Sequence, residues 1–260
     1  MSDVLVLTAL ELEARGLARQ LELSRLSRFA FPVYELERGG CRLRLAPVGP
    51  RAALLRDRWP ALAADLLSPL VVSAGTCGAL APELEVGGLL LPESVLGLDG
   101  ERLNVTPGAH AAALRLAPEA RQGLLLTSRD VLATPDDKAR GFRATAAAAV
   151  DLESALILAW AARQGCPSLV VRAVSNTARQ HLPSELGGVV GAAVLHGASG
   201  GHVDPIDEHQ HHVPTQHRRH HGRRDVVLQL LGLSPVLGVE TDEHHHQERH
   251  QEDPDEREAI

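Results

Sequence analysis

The segment from Ala149 to Thr177 constrains the fold of this 260-residue chain more than any other. It sets an acidic pair, Asp151 and Glu153, at the mouth of an apolar helix expected over Leu152 to Gln164. The helix leads into an apolar run, Ser168 to Val174, that ends on Ser175 and Asn176. A short apolar strand without polar alternation is buried on both faces, as in a parallel sheet covered by helices. The carboxyl end of such a strand is where α/β folds build their sites, so the polar ending matters as much as the run.

The rest of the first 186 residues repeats the theme. Val4 to Leu7, Leu70 to Ala74, Gly87 to Pro92 and Gly123 to Thr127 read as strands, and Val33 to Glu37 with Cys41 to Val48 as a hairpin turning at Gly39-Gly40. Helical spacing of apolar residues runs from Leu10 to Leu21, and a second helix is expected from Arg51 to Leu67. Thr134-Pro135-Asp136-Asp137 reads as a polar connection. Strands alternating with helices predict an α/β fold: one domain of three layers, α/β/α, around a central mixed, mostly parallel twisted sheet.

Composition divides the chain. Through Leu186 there are 20 acidic and 20 basic side chains; beyond it there are 13 and 6, so the net charge of −7 lies in the last portion. Twelve of the 14 histidines lie beyond residue 195, and no aromatic follows Trp160. Residues 187–260 are therefore expected to be a His-rich acidic tail, disordered or the product of a frame shift, appended to a domain at 1–186. Of 26 basic residues only Lys138 is lysine, which reads as coding bias. The three cysteines have neither metal spacing nor a pairing pattern, and the start of the chain has no basic leader. These features predict a cytoplasmic protein with no membrane span, no metal and no cofactor. Charge balance and scarce aromatics in the first 186 residues argue against nucleic acid.

Three clusters can carry chemistry. Glu11 and Glu13 follow the first strand; a carboxylate there can act as general base, although acids also favour a first helical turn. Gly75-Thr76-Cys77-Gly78 follows a strand and lets backbone approach a ligand, although it equally fits an ordinary turn. Asp151, Glu153, Ser175 and Asn176 form the third: a carboxylate can read a vicinal diol and an amide a heterocyclic base, while a capped helix and a polar strand end fit as well.

Taken together and in this order, VLVLTALELEA (4–14), VVSAGTCGALAPELEVGGLLLPE (71–93) and AVDLESALILAWAARQGCPSLVVRAVSNTA (149–178) resemble the nucleoside phosphorylase and nucleosidase superfamily. The resemblance is to the methylthioadenosine/adenosylhomocysteine nucleosidase type and covers about Val4 to Glu185. It implies cleavage of the N-glycosidic bond of a purine-type nucleoside, in a homodimer or larger homo-oligomer. By position, Glu13 would activate the attacking water and Thr76 would lie beside the ribose or nucleophile, with Cys77 and Gly78 among the residues that bind the substrate. Glu153 would hold the ribose hydroxyls, Leu152 would pack on the sugar, and Ser175 would belong to the substrate-binding set. Asn176 stands where the family has an aspartate that protonates the purine N7.

An asparagine hydrogen-bonds but delivers no proton at pH 7. Three outcomes follow: slow turnover of adenine nucleosides, use of a base that leaves on hydrogen bonding alone, as the similarity to futalosine hydrolases suggests, or a nucleoside-binding module without catalysis. The resemblance further implies an arginine before the Gly-rich segment in enzymes that use phosphate. Ser73 stands there, with Arg44 the one substitute, so water is favoured over phosphate as nucleophile. Contacts to the base edge and the 5′ substituent are expected from the 128–137 loop, residues 29–34 and the C-terminal portion.

Overall fold

A computed structural model describes residues 2–182, so the tail expected from residue 187 onward lies outside the described residues. The chain begins with β1 (Ser2–Thr8), α1 (Glu11–Gln20), β2 (Ser24–Arg25), β3 (Tyr34–Arg38) and β4 (Cys41–Pro47). A 3-10 turn (Pro50–Ala52), α2 (Leu55–Ala63), β5 (Leu70–Ala79), β6 (Leu89–Leu90), β7 (Ser94–Leu96) and β8 (Arg102–Asn104) follow. Next come α3 (Pro107–Leu116), β9 (Leu124–Thr127), α4 (Pro135–Thr145), β10 (Ala149–Asp151), α5 (Ser154–Arg163) and β11 (Ser168–Asn176).

The strands join in one mixed sheet in the order β2-β3-β4-β1-β5-β10-β9-β7-β8, with β11 on β5 and β6. Its longest ladders, β1 on β4 and β11 on β5, are parallel. Antiparallel pairing joins the early hairpin, the β7–β8 edge and the short links of β5 to β10 and β6 to β11. Alternation along β1 explains the layers. Val4 and Val6 pack with Ala14 and Ala18 of α1 and Ala113 of α3, whereas Leu5 and Leu7 pack with Leu55 and Trp59 of α2 and Ile157 of α5. All four β1 residues are buried, so both faces of the sheet are covered, as the apolar run in the sequence required. Trp59 and Trp160 meet edge to face at 6.2 Å and tie α2 to α5.

Several elements differ from the sequence reading. β5 does not end at Ala74: Gly75, Thr76 and Cys77 stay in the strand, opposite Arg172, Ala173 and Val174 of β11. The expected helix from Arg51 is shorter, because Arg51 and Ala52 adopt positive φ (53° and 52°) before α2 begins. The expected strand over Gly87 to Pro92 is reduced to β6. The polar connection at 134–137 is a helix start: Thr134 Oγ1 accepts from the Asp137 N–H (3.1 Å), the Asp137 carboxylate accepts from Thr134, and Pro135 takes the first helical position. β7, β8 and α3 carry no expectation from sequence; each strand is only three residues long, too short to show a period.

One buried ion pair ties the sheet together. Arg172 on β11 donates through Nε (3.0 Å) and Nη2 (2.8 Å) to Asp151 Oδ2 at the end of β10. Nη2 also reaches Ser73 Oγ of β5 (2.8 Å) and Ser154 Oγ of α5 (2.9 Å). Asp151 in turn accepts from Thr127 Oγ1 (2.7 Å) and the Ser154 N–H (3.1 Å). Burial works against the Arg172 charge, but Asp151 and Glu153 outweigh it and hold the guanidinium above its ordinary pKa. Removing one partner of such a pair leaves an uncompensated buried charge. Arg172→Met is therefore expected to lose about 3–5 kcal/mol in urea unfolding, and Asp151→Asn in the same background to restore part of it.

Candidate functional site

A cavity of about 170 Å³ opens at the carboxyl ends of β1, β10 and β11, beside the second half of β5. The eight residues to which the resemblance gives a place in the site all line it: Glu13 from the first turn of α1, Thr76, Cys77 and Gly78 from β5, Leu152 and Glu153 between β10 and α5, and Ser175 and Asn176 from β11. Of the two early glutamates only Glu13 turns inward; Glu11 is half exposed and pairs with Arg15 one turn along α1 (3.6 Å).

Glu13 is held by backbone. Its Oε2 accepts from the Leu10 N–H (3.1 Å), and its Oε1 accepts from the Thr76 N–H (3.0 Å) and hydroxyl (3.2 Å). This approach explains Gly75: a Cβ there would lie 2.9 Å from Glu13 Oε1. The glycine is needed for space, not for a turn, and so it can remain inside a strand.

Glu153 is buried and accepts from the Arg51 N–H at 3.0 Å through Oε1. The left-handed conformation of Arg51 sits in the segment that aims this N–H, local strain of a kind that collects at sites. Burial first, and the neighbouring Asp151 second, push the Glu153 pKa up from 4.5 to about 7. Asp151, grouped with Glu153 in the sequence, has its carboxylate committed to Arg172, Thr127 and the start of α5. It is a structural group at the cavity floor.

Asn176 sits after a bulge in the β11–β5 ladder between Val174 and Asn176. Its Nδ2 donates to Ser175 Oγ (2.9 Å), and Ser175 donates to the Cys77 carbonyl (3.1 Å). Gly78 leaves room for the amide, since a Cβ there would stand 3.1 Å from Asn176 Oδ1. The Cys77 thiol is buried, which raises its pKa to about 12 and keeps it protonated and unreactive.

Sequence reasoning missed Lys138. This sole lysine of the chain is fully buried on α4, and its Nζ donates to Asn176 Oδ1 at 2.6 Å. Its one sequence signal is that it is the sole lysine among 26 basic residues, a rarity that composition assigns to coding bias. Arg44 departs from its reading as a substitute for the phosphate-binding arginine. It is neither a surface charge nor at the cavity, but is buried between Glu35 and Asp65, under Phe29, with Nη1 on the Leu62 carbonyl. Ser73, at the expected arginine position, is buried against Arg172. Of the segments expected to meet the base or the 5′ group, the 128–137 loop contributes Asp130, Val131 and Leu132. The 29–34 segment instead packs into the core beside α2, with Arg58 over Phe31 at 4.4 Å. A second hollow of about 340 Å³, on the other side of Glu13 and Thr76, is lined by Leu17, Leu21, Leu43, Leu45 and Leu89. It offers little to a polar ligand.

Among the described residues no cluster of His, Cys, Asp and Glu could hold a metal, and no helix is long and apolar enough to cross a membrane.

A carboxylate with a raised folded-state pKa has a definite pH signature. Between 4.5 and about 7 the folded protein keeps a proton that the unfolded chain has lost, so the stability contributed by Glu153 falls as pH rises through that window. Glu153→Gln removes the penalty. It is expected to stabilise the protein at pH 8 by up to about 3 kcal/mol, with the gain vanishing towards pH 4.5, as read by chemical unfolding at the two pH values.

The sequence model of the phosphorylase superfamily matches residues 3–188. No curated protein matches the sequence. Among solved structures, the 5′-methylthioadenosine/S-adenosylhomocysteine nucleosidase of Neisseria meningitidis, in complex with methylthio-immucillin-A, superposes with a TM-score of 0.63 at 20% identity, covering 89% of this chain and 99% of that one. The corresponding Campylobacter jejuni nucleosidase gives 0.61 at 18% identity over 76% and 96% of the two chains. A mutant futalosine hydrolase of Helicobacter pylori gives 0.60 at 17% over 75% and 92%.

Proposed function

Because the chain belongs to the phosphorylase superfamily, we propose that this cavity cleaves the N-glycosidic bond of a purine-type nucleoside, with water as the attacking group. The observation that carries the reading is the convergence of Glu13, Glu153 and Asn176, from three distant stretches of sequence, on one cavity at the carboxyl edge of the sheet.

Departure of the base leaves a sugar with oxocarbenium character, so catalysis requires negative charge near the sugar and hydrogen bonding at the base. Glu153, as an anion, accepts hydrogen bonds from the vicinal ribose hydroxyls, while Leu152 packs on the sugar. Glu13 accepts the proton of the attacking water; its carboxylate is already oriented by Leu10 and Thr76. Asn176 and Ser175 meet the base, and Cys77 and Gly78 supply the wall beside it. Water is preferred to phosphate because no arginine or lysine is among the described residues lining the cavity; Ser73 and Arg44 are both engaged in the folded core. The neutral amide at 176 suits a base that leaves on hydrogen bonding alone, such as a 6-oxopurine, better than an adenine that needs a proton. With this reading go purine salvage in the cytoplasm and a homo-oligomeric assembly, which light scattering on the purified protein tests.

The deciding experiment is a nucleoside panel with detection of free base, with and without phosphate. Base release independent of phosphate is expected; strict phosphate dependence would replace hydrolysis by phosphorolysis, and thermal stabilisation by nucleosides without cleavage would leave a binding module. Glu13→Gln is expected to lower kcat by about 10²–10⁴, the range for loss of a positioned general base. Gly75→Ala should do much the same while changing thermal stability little, because the flexible end of Glu13 is what a Cβ at 75 would displace.

A further inference from the structure

We propose that Lys138 is a positioning residue that locks Asn176 as a one-way hydrogen-bond donor, so that the site selects a base presenting an acceptor and has given up proton donation at this position. The inference rests on the reading of the cavity as a nucleoside site.

The network fixes its own polarity. The Lys138 ammonium has three N–H groups and no acceptor, and they go to Asn176 Oδ1 (2.6 Å), the Thr177 carbonyl (2.8 Å) and the Gln180 carbonyl (2.8 Å). The amide must therefore turn its oxygen to the lysine. At the other end, the Cys77 carbonyl can only accept, so Ser175 donates to it and has a lone pair left for Asn176 Nδ2. The chain Lys138 to Asn176 to Ser175 to Cys77 is determined at both ends, and an inverted amide would set its NH₂ against an ammonium. Asparagine nitrogen carries two hydrogens; one is used on Ser175, Asn176 lines the cavity, and the other is assigned to a base bound there.

All three lysine partners are neutral oxygens, and none of the ion pairs among the described residues involves Lys138. An aspartate at 176 would therefore become the counter-ion of a buried ammonium. It would be held ionised and have no hydrogen to give. The residue that restores a general acid on paper would, beside Lys138, face the base with lone pairs only.

The test uses calorimetric binding at pH 7 of adenine and hypoxanthine against their 7-deaza counterparts, in which C–H replaces a ring-nitrogen acceptor. The wild-type protein is expected to bind at least one purine about tenfold or more tighter than its 7-deaza form, because a site built around a fixed donor rejects a partner lacking the acceptor. Asn176→Asp is expected to bind the purine more weakly and to lose that preference. Asn176→Asp combined with Lys138→Met should regain part of it, since a buried carboxyl without a cation takes up a proton more readily. A general loss of stability would lower affinity for both members of a pair and leave their ratio unchanged.

The proposal is overturned if the wild type binds neither base or shows no preference, or if Asn176→Asp alone matches or exceeds wild type with the preference intact. These two arms decide the matter even if the lysine variant does not fold. A protein that shows the preference but cleaves no nucleoside retracts the activity proposed above and leaves this assignment standing; cleavage without the preference does the reverse.

Discussion

The site depends on the buried pair of Arg172 and Asp151. Arg172 lies four residues before Asn176 on the same strand, Asp151 two before Glu153, and Ser73, also on the guanidinium, three before Thr76. One cation therefore sets the mutual placement of three stretches that each deliver a cavity residue. Such a pair adds little net stability, since both ions lose their hydration, but a misplaced register would leave each charge stranded in the core. The two partners come from β10 and β11, which are not neighbours in the sheet and have only β5 between them. Their registers on β5 place one against the other, and the ion pair reinforces that offset directly between them.

What could be read from the sequence follows from where its signals are strong. β1, β9, α5 and β11 are long or uniformly apolar, and their periodicity gave their places within a few residues. The convergence of Glu13, Glu153 and Asn176 was legible because each lies at the carboxyl end of a strand or one turn beyond it. Short elements such as β7 and β8 were not, for three residues do not establish a period. The run Gly75 to Gly78 reads in the sequence equally as a close approach to a ligand and as a turn after a strand, because glycine signals either backbone freedom or the need for room, and composition does not separate the two. Here the neighbour that needs room is Glu13, distant in sequence.

Arg44 and Lys138 show the limits of reading charge from sequence. Both are fully buried, against the usual rule for cations, and each is satisfied by groups that no local pattern announces. Arg44, on β4, is paired with the carboxylates of Glu35 on β3 and Asp65 after α2, so its charge is neutralised locally. Lys138 is met only by oxygens of an amide and two carbonyls. Burial without a carboxylate lowers its pKa, a cost the fold carries next to the cavity.

The two cavity glutamates follow the opposite arrangement, and the contrast bears on the proposed chemistry. Glu13 is held by the N–H groups of Leu10 and Thr76 with the Thr76 hydroxyl, and Glu153 by the N–H of Arg51. Backbone dipoles orient a carboxylate without cancelling its charge, whereas an arginine partner would neutralise it. The one arginine buried near them is given to Asp151 instead. The cavity therefore holds carboxylate charge that is costly in the empty protein, where burial first and Asp151 second raise the pKa of Glu153, and that becomes favourable once a sugar cation develops inside it. Lys138, whose charge would oppose this if it faced the sugar, is turned away and reaches the cavity only through the neutral amide of Asn176.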